Sequence, residues 1–507
     1  MKRISFLTIG YAMLAFVLAL TGCKRYLDVL PSKSTSLPIT SIEQLDALLA
    51  KYTDFAEEYN NAAFLGHDDF EFSTTLYDAI PRFFPSPDKV LQTYLWDYDN
   101  YAKTGTDQFW SGNGNRQGEY GKIFRANLVL ANVGKVSGTD ADKARLTAEA
   151  HFIRAYSHWN LANTYCLPYS DKTKQEPGLP LKKSNSYEES AARSTLEQTY
   201  QFIESDLQEA LKCTTPLVNG GKNIHWRANT AAVNGFAARF YLNLNDYEKA
   251  LKYANEALKE WNVLVDYNTE MSETDAMGAG ILFPSCFIFD AADYSQRIAW
   301  KETMYMRFLY SANVGMMYFP SQQLLGLYDQ QHDLRYKYHM VEGVLKMFGT
   351  TYEYPVYAFF SLNHLPSGPS TAEMFLIKAE CQARLGNYTE GIKTLNLLRA
   401  KRLTPGAWVD LAAADKSQAI HHILEERRRE LPFSQRWFDL RRYNNNEDPN
   451  DDVDNITRTF YKISSSAIYN QEPPIQYVLG KQSRKYALPI NENEITVSGG
   501  VIQQNTY

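Results

Sequence analysis

Apolar residues recur at helical spacing through two long stretches of the chain. In residues 141–162, Ala144, Ala148, Phe152, Ala155, Trp159 and Ala162 follow one another at steps of four, four, three, four and three, which places them on one face of a helix. Most of that stripe is alanine, so a neighbouring helix can approach closely. The same period predicts helices at 195 to about 211, 229 to about 261, 370 to about 402, and 416–431.

Two of these segments resemble each other. Leu244, Asn245, Asp246, Tyr247, Glu248, Lys249, Ala250, Leu251 and Lys252 align without gaps on Leu385, Gly386, Asn387, Tyr388, Thr389, Glu390, Gly391, Ile392 and Lys393. Each reads as a tight turn between two amphipathic helices, the turn of a tetratricopeptide hairpin. The offset is 141 residues, not a multiple of the roughly 34-residue repeat, so the repeats are interrupted. Two stretches without helical period, about 60–118 and 266–369, are rich in turn formers and aromatic side chains. Loops on a rigid scaffold are where binding usually sits. The expected fold is mainly α: a tetratricopeptide-like helical-repeat scaffold, about 120–262 and 370–443, with large irregular loop-rich insertions that form the ligand face.

The N-terminus adds a location. Lys2 and Arg3 precede an apolar run over residues 11–20, too short for the roughly 20 residues that span a bilayer and laid out as a secretory signal. Leu20, Thr21, Gly22 and Cys23 look like a bacterial lipobox. In that reading residues 1–22 are a lipoprotein signal peptide, Cys23 carries the lipid, and residues 23–507 are the mature chain. Cys166, Cys213, Cys286 and Cys381 form no CxxC pair, which excludes a zinc ribbon or redox motif. Buried free thiols are expected.

Composition narrows the function. With 52 Lys+Arg against 58 Asp+Glu, a net charge of −6 and 14% aromatic residues, 35 of them Tyr, the chain is a well-packed globule without the basic field that nucleic acid requires. No HExxH, GxSxG or GxxxxGK[ST] motif occurs, and neither a catalytic residue nor a metal or other cofactor is expected. His421, His422 and Glu425 share a helix but lack a third ligand at a matching spacing. Asp448, Asn450, Asp452 and Asp454 begin like a calcium loop, yet Val453 and Thr459 stand where Gly and Glu are needed, and a solvated acidic loop is the better reading. Asp68, Asp69 and Glu71 suit either the acid and base of glycoside hydrolysis or carboxylates that bind sugar hydroxyls. From 424 to 442, Glu425, Glu426, Glu430 and Asp439 interleave with arginines. Pro432 ends the helix, and a structural knot of ion pairs around a buried Trp437 is expected.

Several pieces together resemble the SusD/RagB family of outer-membrane nutrient-binding lipoproteins of Bacteroidota. They are CKRYLDVLP from Cys23, AEAHFIRAYSHWNLANTY from Ala148, AEMFLIKAECQARLGNYTEGIKTLNLLRAKRL from Ala372, ERRRELPFSQRWFDLRR from Glu426, and YALPINENEITVSGGVIQQNTY from Tyr486. The family often carries a Gly before its Arg-Trp pair. Here Phe433, Ser434, Gln435 and Arg436 contain none, so a different local turn is expected. The resemblance implies a SusD-like fold and a non-catalytic cell-surface lipoprotein, anchored in the outer membrane through its lipid and facing the cell exterior. It also implies a role as lid of a SusC-like TonB-dependent importer of oligosaccharide. A peptide-binding RagB-type role and a surface glycoside hydrolase are the alternatives. Ligand contacts are not set by a motif in this family. The candidates are the loop aromatics Trp96, Tyr98, Tyr294 and Trp300, with Asp68, Asp69 and Arg82 as polar partners. Trp96 and Trp300 fit a local core equally well.

Overall fold

A computed structural model of the chain describes residues 39–81, 87–99, 101, 107–113, 116–275, 278–285, 300–310, 317–359, 361–362 and 364–507. The signal segment, Cys23, Arg82, Cys286 and Tyr294 lie outside the described residues. Helices of eight or more residues are α1 (Ile42–Ala50), α2 (Glu119–Asn132), α3 (Asp140–Tyr165), α4 (Leu196–Ala210), α5 (Thr230–Asn243), α6 (Tyr247–Glu260), α7 (Thr371–Arg384), α8 (Tyr388–Arg399), α9 (Lys416–Glu430) and α10 (Arg436–Tyr443). Every segment predicted from helical period is helical, and the mainly α expectation holds. Among the described residues no helix is long and apolar enough to cross a membrane.

The helix starts follow local chemistry. Thr139, Asn229, Asp246, Ser370 and Asp415 each accept a backbone N–H of the first turn of α3, α5, α6, α7 and α9, and Thr195 and Gln198 form a reciprocal capping box on α4. Such caps satisfy donors that the helix itself leaves unpaired. The two aligned turns close identically. Asp246 N–H donates to the Tyr241 carbonyl and Asn387 N–H to the Gln382 carbonyl, at 2.9 and 2.8 Å, the six-to-one bond of a Schellman end. The residue between takes the left-handed region in both hairpins, Asn245 at φ 60° and Gly386 at φ 98°. Asn and Gly are the residues that enter that region at least cost.

α3 lies at the centre of the core. From Phe152 to Tyr165 every residue of it is buried, and Trp159 stacks on Phe438 at 4.9 Å. α1 packs on α2 and α3 through Ile42, Leu45 and Leu49. Cys166, Cys213 and Cys381 are buried free thiols, as expected.

Sheet is sparse. β1 (Glu57–Glu58) runs parallel to β2 (Phe308–Tyr310), with Glu57 opposite Phe308, and β2 runs antiparallel to β3 (His364–Pro366), with Leu309 opposite Leu365. β4 (Asn455–Phe460) and β5 (Ile475–Gly480) form a hairpin with Asn455 opposite Gly480.

Candidate ligand-binding face

The two aromatic loop regions, separated by the repeats in sequence, meet in the fold. β1 enters the first region and pairs with β2 of the second. Beyond it, Phe70 bridges Pro320, Glu71 N–H donates to the Phe319 carbonyl at 3.0 Å, and Ser321 N–H donates to the Asp69 carbonyl at 2.8 Å. One irregular body results, and its backbone groups are paired across the two regions.

Arginines from the C-terminal repeat and from β4 pin that body to the scaffold. Arg436 donates to both carboxylate oxygens of Asp68 at 2.7 and 2.8 Å. Arg428 donates to Asp69 Oδ1 through Nε and Nη2, at 2.9 and 2.6 Å. Burial works to raise the Asp68 carboxyl, but the guanidinium groups of Arg436 and Arg428 outweigh it and hold it well below the usual carboxylate range. Asp69 is enclosed more completely, and there burial, reinforced by the Asp68 charge, pushes the carboxyl up. Among the described residues Arg458 of β4 pairs with no carboxylate. It donates to the Leu65 and His67 carbonyls at 2.7 and 2.6 Å, and its cation lies 4.0 and 4.1 Å from the ring centres of Tyr94 and Trp96. Burial therefore lowers its pKa to about 10.

The Arg/Trp signature forms the expected knot. Trp437 is fully buried and donates its indole N–H to the Asn163 carbonyl at 3.1 Å. Arg442 pairs with Glu380 and Asp439 at 2.6 and 2.9 Å, Arg427 with Asp439 at 2.7 Å, and Arg239 of α5 with Glu373 of α7 at 2.6 Å. Phe433 takes the left-handed region, φ 64°, although it is not Gly. Its ring is fully buried against Tyr318 and Tyr357. Strain of about 1–3 kcal/mol is thus offset by apolar burial of about the same size.

Five of the nominated ligand contacts are buried or held in ion pairs by this packing. Trp96 is 0% exposed, ends a short helix at φ 52°, and donates its indole N–H to the Gly66 carbonyl at 3.1 Å, so it is core and offers no face to a ligand. Asp68 and Asp69 are engaged by arginines rather than presented to solvent. Tyr98 is buried, with its hydroxyl on the Lys485 carbonyl at 3.2 Å and its ring against Tyr101 and Tyr507. Trp300 lies in a separate cluster, 7% exposed, edge-on to Phe359 at 5.2 Å. The described members of the set do not converge on one surface.

The same body presents other aromatics. Tyr352 and Tyr354, both half-buried, stack at 6.2 Å with an interplanar angle of 13°. Tyr354 donates to the Pro320 carbonyl at 2.6 Å and accepts from Gln322 Nε2 at 3.2 Å, while Glu71 Oε2 accepts the Gln322 N–H at 3.1 Å. Two rings, a carboxylate and an amide from both loop regions stand together at the surface. Alternation of Tyr352, Glu353 and Tyr354 was the available signal, since period two puts the outer pair on one side of an extended segment.

The weaker metal candidates are accounted for by pairing. His421 lies 3.2 Å from Glu425 on the exposed side of α9. In the acidic loop Asp451 binds the Arg384 guanidinium and Asp452 the Lys481 ammonium, so that loop is more tightly tied than a purely solvated one. Among the described residues no group of three or more His, Cys, Asp or Glu is placed to hold a metal ion.

Comparison with known proteins agrees with this architecture. A SusD-like family described as "Starch-binding associating with outer membrane" matches residues 25–242, and the SusD family matches residues 371–507. SusD-like protein P38 of Formosa agariphila is 22% identical, over 88% of this chain and 92% of its own length. A SusD superfamily structure from Bacteroides thetaiotaomicron covers 92% of this chain and 100% of that one, at 19% identity and TM-score 0.59. A further one from Bacteroides fragilis covers 92% and 99%, at 16% identity and TM-score 0.61. A structure described as a laminarin binding SusD-like protein covers 92% and 99%, at 16% identity and TM-score 0.53. With both halves of the repeat scaffold matched and the interrupted-repeat fold shared end to end, the chain belongs to the SusD/RagB family.

Proposed function

We propose that this chain is a non-catalytic glycan-binding lipoprotein of the outer membrane. It is tethered through Cys23, faces the cell exterior, and acts as lid of a SusC-like TonB-dependent transporter that imports oligosaccharide. The observation that carries the binding reading is the Tyr352–Tyr354 pair beside Gln322 and Glu71. Sugar rings present C–H faces that lie against aromatic rings, and their hydroxyls need acceptors and donors at the edge of such a platform. Arg82 and Tyr294, on the same two loop regions, complete the proposed contacts. The laminarin-binding relative supports a polysaccharide-derived ligand.

Hydrolysis is the weaker reading. A glycosidase needs one carboxyl to give a proton and another to act across an open cleft. Asp68 is held ionised by two guanidinium groups and Asp69 is fully buried.

Calorimetry with a panel of soluble oligosaccharides, on the wild type and on Tyr354→Ala, tests the assignment. Oligosaccharide binding that Tyr354→Ala weakens by removing its loop-face component is expected, and binding by peptides alone would sink the glycan reading. Release of reducing ends from the same oligosaccharides would overturn the non-catalytic role. Solubilised membranes should yield the chain together with a large barrel protein, and recovery of the chain alone would count against the lid.

A further inference from the structure

Residues 110–111 at the end of the first loop region, α2, the 180–191 connection and the C-terminal segment line a pocket of about 580 Å³ that includes neither Tyr352 nor Tyr354. That volume suits a ligand of two or three sugar rings. Trp110 and Tyr120 form its floor, with ring centres 4.8 Å apart. Phe124 forms a wall, and Tyr187 stacks on it at 5.5 Å and 30°. Tyr187 is 89% exposed, so the ring's other side faces water.

An aromatic side chain left in solvent is unremarkable on a loose loop, but this connection is tied down. Asn127 of α2 donates to the Lys182 and Ser184 carbonyls at 3.1 and 2.8 Å. Arg154 of α3 donates to the Lys183 carbonyl at 3.1 Å. The Glu189 carboxylate accepts the N–H groups of Lys183 and Ser184 at 3.0 and 3.2 Å. Tyr187 is thus presented by a pre-organised loop, which lowers the entropy cost of using it as a contact.

The polar groups show what the pocket takes. Glu494, on the opposite wall, is partly buried and accepts the Ser111 hydroxyl on Oε1 at 2.7 Å. No Lys, Arg or His among the described residues forms an ion pair with it. Burial, reinforced by the Asp107 charge, raises its pKa against the opposing pull of the Ser111 hydrogen bond and the Lys89 charge. Ser184, Ser186 and Ser190 line the rim together with Glu188, Glu189, Glu494 and the ammonium of Lys182, which is bonded to the Glu189 carbonyl, while the Lys89 charge also acts on Glu494. Rings with polar tips, serine hydroxyls and a carboxylate with spare acceptor capacity match the alternating C–H and hydroxyl faces of a saccharide. The excess of carboxylates repels an acidic sugar.

We infer that this pocket is a second saccharide-binding site, distinct from the Tyr352–Tyr354 platform and specific for non-acidic sugars, with Tyr187 as stacking platform and Glu494 as hydroxyl acceptor. The inference rests on the glycan-binding function proposed above.

Hydrogen exchange of the full chain tests it, with laminarihexaose, maltohexaose, mannohexaose, xylohexaose, the glucosamine hexamer and a galacturonate oligomer as probes. A non-acidic hexaose is expected to slow exchange several-fold in residues 184–191 and 492–502. Tyr187→Ala and Glu494→Gln should each remove that protection while leaving both the melting temperature and any protection around 317–322 and 348–359 unchanged. Protection of the loop face alone would overturn the second site and leave the glycan function standing, whereas no protection by any probe would overturn both. Protection of the pocket by the galacturonate oligomer, or only by a co-purified membrane protein, would overturn the saccharide assignment in favour of an anion or a protein partner.

Discussion

The repeats and the loop face are held together by different forces. In the repeats, neighbouring helices bury alanine-rich and leucine-rich stripes, and the caps lie within a few residues of the groups they satisfy. The loop face has no period of its own. Its backbone pairs across two distant regions, and its carboxylates are tied to arginines of the C-terminal repeat. Regular elements satisfy themselves locally, and irregular backbone needs long-range partners. The loop face should therefore be the region that fails first when buried charge is disturbed.

Acid offers the largest disturbance, because both regions bury neutral imidazoles. Burial depresses His67 in the loop face to about 3, and His339 in the loop face and His158 and His225 in the scaffold to about 4. Below about pH 6.5 the unfolded chain takes up protons that the folded chain refuses. Stability present above that pH should fall by up to about 1.4 kcal/mol per pH unit for each imidazole, until the folded values are reached. Urea titrations between pH 7 and pH 4 check this, and a flat profile would break it. Replacing His67 by Gln should flatten the slope.

Charge removal separates the regions more directly. Glu380 lies between Arg442 and Arg384, so Glu380→Gln strands buried cations and should cost about 3–5 kcal/mol, read as a lower melting temperature of the whole chain. Asp69→Asn should instead raise proteolytic cleavage and hydrogen exchange within residues 60–81, with a smaller shift in global melting. Equal global losses would show that the two regions unfold as one unit. Their contact surface is probed by Gly66→Ala. A Cβ there would stand 2.6 Å from the Trp437 ring and 2.7 Å from the Ala62 carbonyl, and thermal denaturation should show a loss of about 1–3 kcal/mol. The smallest effect is expected for Trp96→Phe. It removes one hydrogen bond, worth about 1 kcal/mol, and should leave glycan affinity unchanged, whereas Tyr354→Ala should remove binding at the loop face with little change in stability.

Much of the scaffold was legible in the residues themselves. The stripe from Ala144 to Ala162 and the matched turns at Asn245 and Gly386 are local signals, and the structure reproduces them. The knot was legible too, because arginines and carboxylates interleaved over a few turns have few other partners. The loop aromatics were not. Trp96 sits in a turn-rich stretch that resembles a binding loop, and nothing near it in sequence reveals that the Gly66 carbonyl and the Arg458 cation enclose it. Tyr187 stands in a run of Ser, Glu and Lys between two helices, a stretch that reads as a plain connection.

Helix positions, hairpin turns and the identity of the ion-pairing residues follow from the order of side chains along the chain, because period and capping act over one or two helical turns. Which aromatics became core and which stayed at the surface was decided by contacts between segments from about thirty to several hundred residues apart. Irregular backbone carries no period from which an inner and an outer face can be read. Burial there is a property of the assembled neighbours: Gly66 against Trp437, Asp68 against Arg436, and Tyr354 beside Gln322.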